Sequence, residues 1–467
     1  MDMDKQVSDE RSRIPDLMKI GAVPSDMAMD VDTHVLDPVV NNQSFCRFVL
    51  DNKGFLHSFS KITLCVNVGE DSTFPANIGV HSLIRRCALR IGTTIIAEID
   101  DFNHWMAYKS MFIDNDINKY RETFLTSRVL AYDMSLQTDI GGNESLTSAS
   151  YVIVDNTRCP DIDSNDGTTK SAISPNVIFT DNAPVFSISV ADLFPFLRFN
   201  QLPLYMIDQQ VSIELHFEDV NTDNRCCVFA GGTNGLTYNM DLTQTKFIAD
   251  YIYYDGDMME QYKNQNKVMN WTYNDYRLNK RTLTKAQLET KQVLEIGGAG
   301  RLISKVVTSL QRPIGNPNQS ILNIYQSASP QVQNNNNGVF TTNMNVNDHR
   351  LYPVDRTNSA VHFHDIVQSE QNMPHVPRRA FNSQGDSFNA DTSKYNGYSM
   401  DSKTAGLNGN FHHICYRLNR NERVNSKGIE LELQYSLIDA GSYTHRAWLE
   451  LVKTATLDNG MFSTDFS

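Results

Sequence analysis

The chain has 467 residues, 40% of them hydrophobic, and a formal net charge of −13. That length exceeds one ordinary sandwich domain and suits two, at roughly 100–200 residues each. No run of about 18 apolar residues occurs, which argues against a spanning helix, and the acidic balance argues against sequence-independent wrapping of nucleic acid, which needs many Lys and Arg.

Residues 1–40 read as an N-terminal arm. Met1-Asp2-Met3-Asp4 lacks a positively charged start followed by an apolar stretch, so no secretory leader is expected and synthesis is expected inside the cell. Through Asp32 the arm holds more acids than bases, unlike a basic DNA-binding arm. The seven cysteines, Cys46, Cys65, Cys87, Cys159, Cys226, Cys227 and Cys415, are odd in number and show no C-x-x-C spacing, so they read as reduced thiols.

Beyond the arm, period-two alternation is the dominant signal, as on a strand with one buried face. Ile62, Leu64, Val66 and Val68 alternate with Lys61, Thr63, Cys65 and Asn67. Phe186, Ile188 and Val190 alternate with Ser187 and Ser189, and Val211, Ile213, Leu215 and Phe217 with Ser212, Glu214, His216 and Glu218. Farther along, Ile429, Leu431, Leu433, Tyr435 and Leu437 do the same, and Trp448–Val452 gives another strand. Further strands are expected at Phe45–Leu50, Leu89–Ile99, Phe247–Tyr254, Leu302–Leu310 and Ile321–Tyr325. One short helix is predicted over 101–112, capped by Asp100 or Asp101, with Phe102, Trp105 and Met106 on one face. Many short strands between Gly, Pro, Asn and Asp turns indicate sandwiches or Greek-key barrels. The alternating strands at Val211 and Ile429 lie 218 residues apart (429 less 211), which suggests two similar folds in tandem. Turn-rich sequence at 221–224 and 231–235 suits a connection between them, which places the boundary near 240.

The run from Phe186 to Leu197, then Gln201 to Leu204 and the strand Val211–Phe217, resembles a signature of double jelly-roll major capsid proteins. Ile84 to Gly92, with Asp101 to Trp105 and Tyr108 to Ser110, is most similar to the capsid proteins of polinton-like viruses and virophages. This resemblance implies an all-β fold of two tandem eight-stranded antiparallel jelly rolls, at 41–240 and 241–467, with short helices in the connections. It further implies the major capsid protein of an icosahedral double-stranded DNA virus, forming homotrimers, pseudo-hexagonal capsomers and a virion shell. The partners would be the chain itself and the penton and minor capsid proteins of the same virus. Alternatives are a minor capsid or vertex protein, or a β-sandwich carbohydrate-binding attachment protein, since jelly rolls serve there too.

Chemistry is sparse. His362 and His364, with His349 and His375 nearby, imitate an H-x-H metal spacing, but no third ligand completes a set and they read as surface or interface histidines, as does the pair His412-His413. Gly297 to Gly300 before Arg301 lacks the P-loop pattern and reads as a turn. Cys226-Cys227 has no adjacent base to activate a thiol. Phe194 to Leu197 suits either subunit or barrel–barrel packing or ordinary core. No catalytic, cofactor-binding or metal-binding residue is assigned, and no cofactor or enzymatic activity is expected. Residues 382–410 hold many Asn, Asp, Ser and Gly and are expected to form a long loop on the outer face of a shell.

Overall fold

The computed structural model describes residues 29–68, 72–75, 78–109, 151–153, 185–199, 201–218, 228–229, 238–311, 332–333, 336–337, 340–355, 365, 368–369, 413–418, 423–436 and 441–466. The arm through residue 28, the strand expected at Ile321–Tyr325, the histidines 362, 364, 375 and 412, the Cys226-Cys227 pair and the loop 382–410 lie outside them.

The first half contributes β1 (Asp30–Leu36), β2 (Phe45–Leu50), β3 (Lys61–Val68), β4 (Ile84–Ile91), β5 (Thr94–Asp100), β6 (Val185–Ser189), β7 (Val211–Phe217) and β8 (Lys246–Tyr253). These pair antiparallel in two sheets, β1-β8-β3-β6 and β2-β7-β4-β5. The second half contributes β9 (Val268–Thr284), β10 (Gln292–Gly297), β11 (Ile303–Gln311), β12 (Phe340–Val346), β13 (His349–Arg350), β14 (Ile414–Arg417), β15 (Ile429–Tyr435) and β16 (Ser442–Asp458). Its sheets run β9-β16-β11-β14 and β10-β15-β12-β13. By position within each half the orders are the same, first-eighth-third-sixth and second-seventh-fourth-fifth. That arrangement is an eight-stranded jelly roll made of Greek keys, and the chain is a double jelly roll. Short strands, such as Phe55–Leu56 on β8, add to the first barrel, and β17 (Met461–Phe466) extends β16.

Alternation explains most strands. Cys46, Phe48 and Leu50 of β2 are buried while Phe45, Arg47 and Val49 are only half-buried. β7, paired on both sides, buries Ser212 and Glu214 as well as its apolar face. β7 and β15 are the seventh strands of their barrels, so the spacing of Val211 and Ile429 marks equivalent positions. The stretch expected as one strand at Leu89–Ile99 is instead the hairpin β4–β5. It turns at Gly92, whose φ of +58° suits glycine, and a Cβ there would lie 2.9 Å from Gln209 Nε2. The equivalent hairpin β12–β13 turns on Asn347 and Asp348, with φ of 54° and 61°, as a type I′ turn requires.

Two boundaries differ from expectation. Part of the expected arm, Asp30–Leu36, is β1 and pairs along its whole length with β8. β8 itself lies past residue 240 yet belongs to the first barrel, pairing with β3 and β1. The turn-rich sequence at 221–235 therefore lies within the first half. The crossover falls after Tyr253, along a helix at Gly256–Gln265 whose first turn is capped by the Asp255 carboxylate. Between β5 and β6 sits α1 (Phe102–Lys109), within the expected 101–112, and it buries Phe102 through Tyr108 rather than a single face.

Candidate functional site at the barrel junction

The two apolar cores interleave. Trp271, Tyr273, Trp448, Ala455, Leu457 and Phe462 come from the second half but pack in the first core, while Tyr108 of α1 packs in the second. This happens because β9 and β16 are each 17 residues long. One part of each strand builds the second barrel, and the rest reaches across the first.

There it meets β5, the edge strand of its sheet. An unpaired edge leaves backbone donors and acceptors open to water or to a stray strand. Here side chains close it. Lys453 Nζ donates to Ile95 O at 2.9 Å and Ile96 O at 2.8 Å. The Tyr273 hydroxyl donates to Ile96 O at 2.6 Å, and Trp448 Nε1 to Asp100 O at 3.1 Å. Glu98 N in turn donates to Asp275 Oδ1 at 3.1 Å. Lys453 also pairs with Asp275 at 3.0 Å, both buried. Burial pushes the Asp275 carboxyl above its ordinary value, against the pull of Lys453.

A second cluster sits at the start of α1. Asp101, at a φ of 47°, accepts Trp105 N on its carbonyl at 3.0 Å and opens the helix. Its carboxylate accepts from Arg446 Nε at 2.6 Å and pairs with Lys280 Nζ at 2.9 Å, and Arg446 Nη1 donates to Gln311 Oε1 at 2.7 Å. Burial pushes Asp101 up, but the charges of Arg446 and Lys280 outweigh it and hold the carboxyl well below the usual range. Burial, reinforced by Arg446, keeps His104 far below the ordinary imidazole value, so it is neutral near pH 7.

Aromatic rings complete the seal. Phe196 packs on Tyr273 at 4.5 Å and Trp105 on Tyr276 at 5.1 Å, while Trp271 and Phe462 stack at 5.5 Å. Within Phe194 to Leu197, Phe194 is core and Phe196 packs between the barrels. The carboxy-terminal turn also grips the first barrel. Asp208 N donates to Gly460 O at 2.9 Å and Phe462 N to Gln209 Oε1 at 2.7 Å. A Cβ on Gly460 would fall 2.1 Å from Asp208 Oδ2.

Of the histidine and glycine candidates, His349, His413 and Gly297 to Gly300 fall among the described residues. His349 is exposed on β13, and His413 is buried 5.7 Å from the Tyr108 ring. Gly297 to Gly300 forms the turn into β11, with Gly300 N donating to Val424 O at 2.8 Å. Among the described residues no group of three His, Cys, Asp or Glu is placed to hold a metal. The four described cysteines are buried, and burial pushes the Cys46 thiol up to about 12. Sequence reasoning read Asp101 only as a helix cap and missed Asp275, Arg446 and Lys453. For Arg446 and Lys453 the one signal is charge on either side of the apolar run Trp448 to Val452 of β16.

The outer faces carry a second repeat. Glu214 on β7 pairs with Arg90 at 2.8 Å and Arg47 at 3.8 Å, and Glu432 on β15 pairs with Lys291 at 2.8 Å and Arg350 at 3.1 Å. The two glutamates are also 218 residues apart (432 less 214).

No family model and no curated protein matches the chain. Solved structures share its fold across both barrels. The quasi-atomic model of the PBCV-1 virus capsid is 12% identical, with a TM-score of 0.53, over 94% of this chain and 97% of that one. The Sputnik virophage structure by cryo-EM is 11% identical at a TM-score of 0.56, covering 94% and 88%. The Faustovirus major capsid protein is 9% identical at 0.51, covering 96% and 93%.

Proposed function

We propose that this chain is the major capsid protein of an icosahedral double-stranded DNA virus, with a structural and non-enzymatic role in the virion shell. The observation that carries this reading is the repeated strand order. Two jelly rolls with the same connectivity, sealed together by β9 and β16, form a subunit with two nearly equivalent lobes. Three such subunits in a ring present six lobes, which matches a hexagonal lattice without requiring six identical chains. The solved structures with this fold over most of their length are described as capsids or capsid proteins, and that supports the same use here.

In this reading the domains are the barrels 30–253 and 268–458, joined by the helix at 256–265. The partners are other copies of the chain, then the penton and minor capsid proteins at the edges and vertices of the lattice. Light scattering on purified protein at micromolar concentration tests the reading. Three chain masses are expected, with closed particles at higher concentration. A persistent monomer that binds glycans instead would favour an attachment module and defeat the capsid assignment.

A further inference from the structure

Four histidines are buried among the described residues, His81, His104, His413 and His445. They come from distant parts of the chain, yet all four meet one helix or the arginine that anchors it. His104 lies on α1 itself. The His81 ring is 6.0 Å from that of Phe102 at the start of α1, and the His413 ring is 5.7 Å from that of Tyr108 near its end. His445 precedes Arg446 on β16, whose guanidinium binds Asp101 at the head of the helix. The His445 Nδ1 is buried without a hydrogen-bond partner. Both cores share α1, since Phe102, Trp105, Met106 and Ala107 pack in the first and Tyr108 in the second.

The charges around these rings are already mostly positive. Arg446 on β16, Lys280 on β9 and His413 before β14 all oppose a proton on His104, and Arg446 and Arg281 oppose one on His445. Lys109, at the end of α1, sits 5.7 Å from the Trp105 ring. Two carboxylates face the helix. Asp101 is shared by Arg446 and Lys280, and Glu218, past the end of β7, accepts from Asn103 Nδ2 at 2.9 Å and feels Arg85 on β4. Asp100 on β5 pairs with Arg86 instead.

We propose that α1 is an acid-released latch between the two barrels, with His104 as its sensor. Closed, the helix keeps the imidazole buried and neutral beside Arg446 and Lys280, and released, it gives the ring to water. Burial first and Arg446 second hold His104 far below its ordinary value in the closed form, while a released imidazole binds a proton near pH 6.5. The closed form is therefore favoured in full above that pH and loses ground as pH falls below it. Between pH 7 and pH 5 one such histidine shifts the balance toward release by roughly 25-fold. His445, held down to about 3 by burial and Arg446, adds to the shift where release exposes it. Glu218 works the other way, because burial raises its value and its protonation favours the closed form. The latch does not depend on the capsid reading. Only its consequence does, that a shell of such subunits softens in acid.

Hydrogen exchange on the full-length chain tests the latch, read on peptides spanning 102–109 and 211–217 and corrected for the intrinsic pH dependence of exchange. From pH 7 to pH 5 the α1 amides should lose protection by roughly tenfold or more, while the β7 amides keep theirs. Unchanged protection in α1 overturns the proposal. An equal loss in β7 overturns it too, since acid would then be unfolding the barrels as a whole. His104→Asn should remove most of the acid response of α1, and a full response in that variant overturns His104 as the sensor. The wild-type series decides for or against the latch even where the variant misfolds.

Discussion

The first and second barrels differ less in fold than in what covers their matching sheets. In the second barrel, β9 and β16 carry Trp271, Tyr273, Arg446, Trp448 and Lys453, all buried against the first barrel. In the first, the corresponding β1 shows five exposed residues out of seven and β8 is half-buried on alternate positions. Topology thus sets where surfaces lie, while side chains decide which are sealed within the chain. Lys453, Tyr273, Trp448 and Asp275 seal the internal junction because an exposed sheet edge offers backbone carbonyls and N–H groups that need partners once buried.

The largest test of this comparison is in the cores, where the barrels should behave alike. Ile213 and Leu431 are equivalent residues on β7 and β15, and both are fully buried. Ile213→Asp and Leu431→Asp should each cost several kcal/mol, about the marginal stability of a domain, and abolish soluble expression. If only one of them is tolerated, the equivalence of the barrels fails at that strand.

At the junction, Lys453→Met leaves Asp275 buried without its cation and should lower stability by about 3–5 kcal/mol in urea unfolding. Adding Asp275→Leu should restore most of that loss, since a well-packed apolar pair can replace a buried ion pair. A single variant as stable as wild type would show that the edge of β5 needs no seal.

Acid should loosen the junction next. His104 is held below its ordinary value in the folded chain, so the unfolded chain takes up a proton first, near pH 6.5. Stability from this group is complete above that pH and falls as pH drops below it. Asp101 acts in the same direction lower down, its contribution present above about pH 4 and lost below. Asp275 opposes them, because its folded value is raised and its protonation favours the folded chain as pH falls. Urea midpoints at pH 7 and pH 5.5 for wild type and His104→Asn isolate the histidine. The variant should show the weaker pH dependence, and identical slopes would exclude His104. The smallest effect belongs to the outer faces, where Lys291→Ala should change stability by less than about 1 kcal/mol.

Much of this architecture was legible from alternation alone. The strands at Ile62, Val211 and Ile429 fold where the pattern puts them, and the 218-residue spacing identifies the seventh strand of each barrel. Among the strands that escaped, β10, β12 and β14 included, β9 is the most telling. Its sequence from Val268 to Thr284 is polar at most positions, and its buried residues Trp271, Tyr273 and Asp275 owe their burial to the other barrel. A strand stabilised by a neighbouring domain carries little local signal. β5 was hidden differently, because Ile91 and Thr94 flank a hairpin that apolar content alone reads as one continuous strand. The junction residues were illegible because pairing across 345 positions, as between Asp101 and Arg446, is a property of the fold and not of spacing.

Imaging single particles of the purified chain tests the central claim most directly. The account predicts end-on views with six lobes and threefold symmetry, in which each chain supplies two adjacent lobes. Two-lobed particles at every concentration would contradict it.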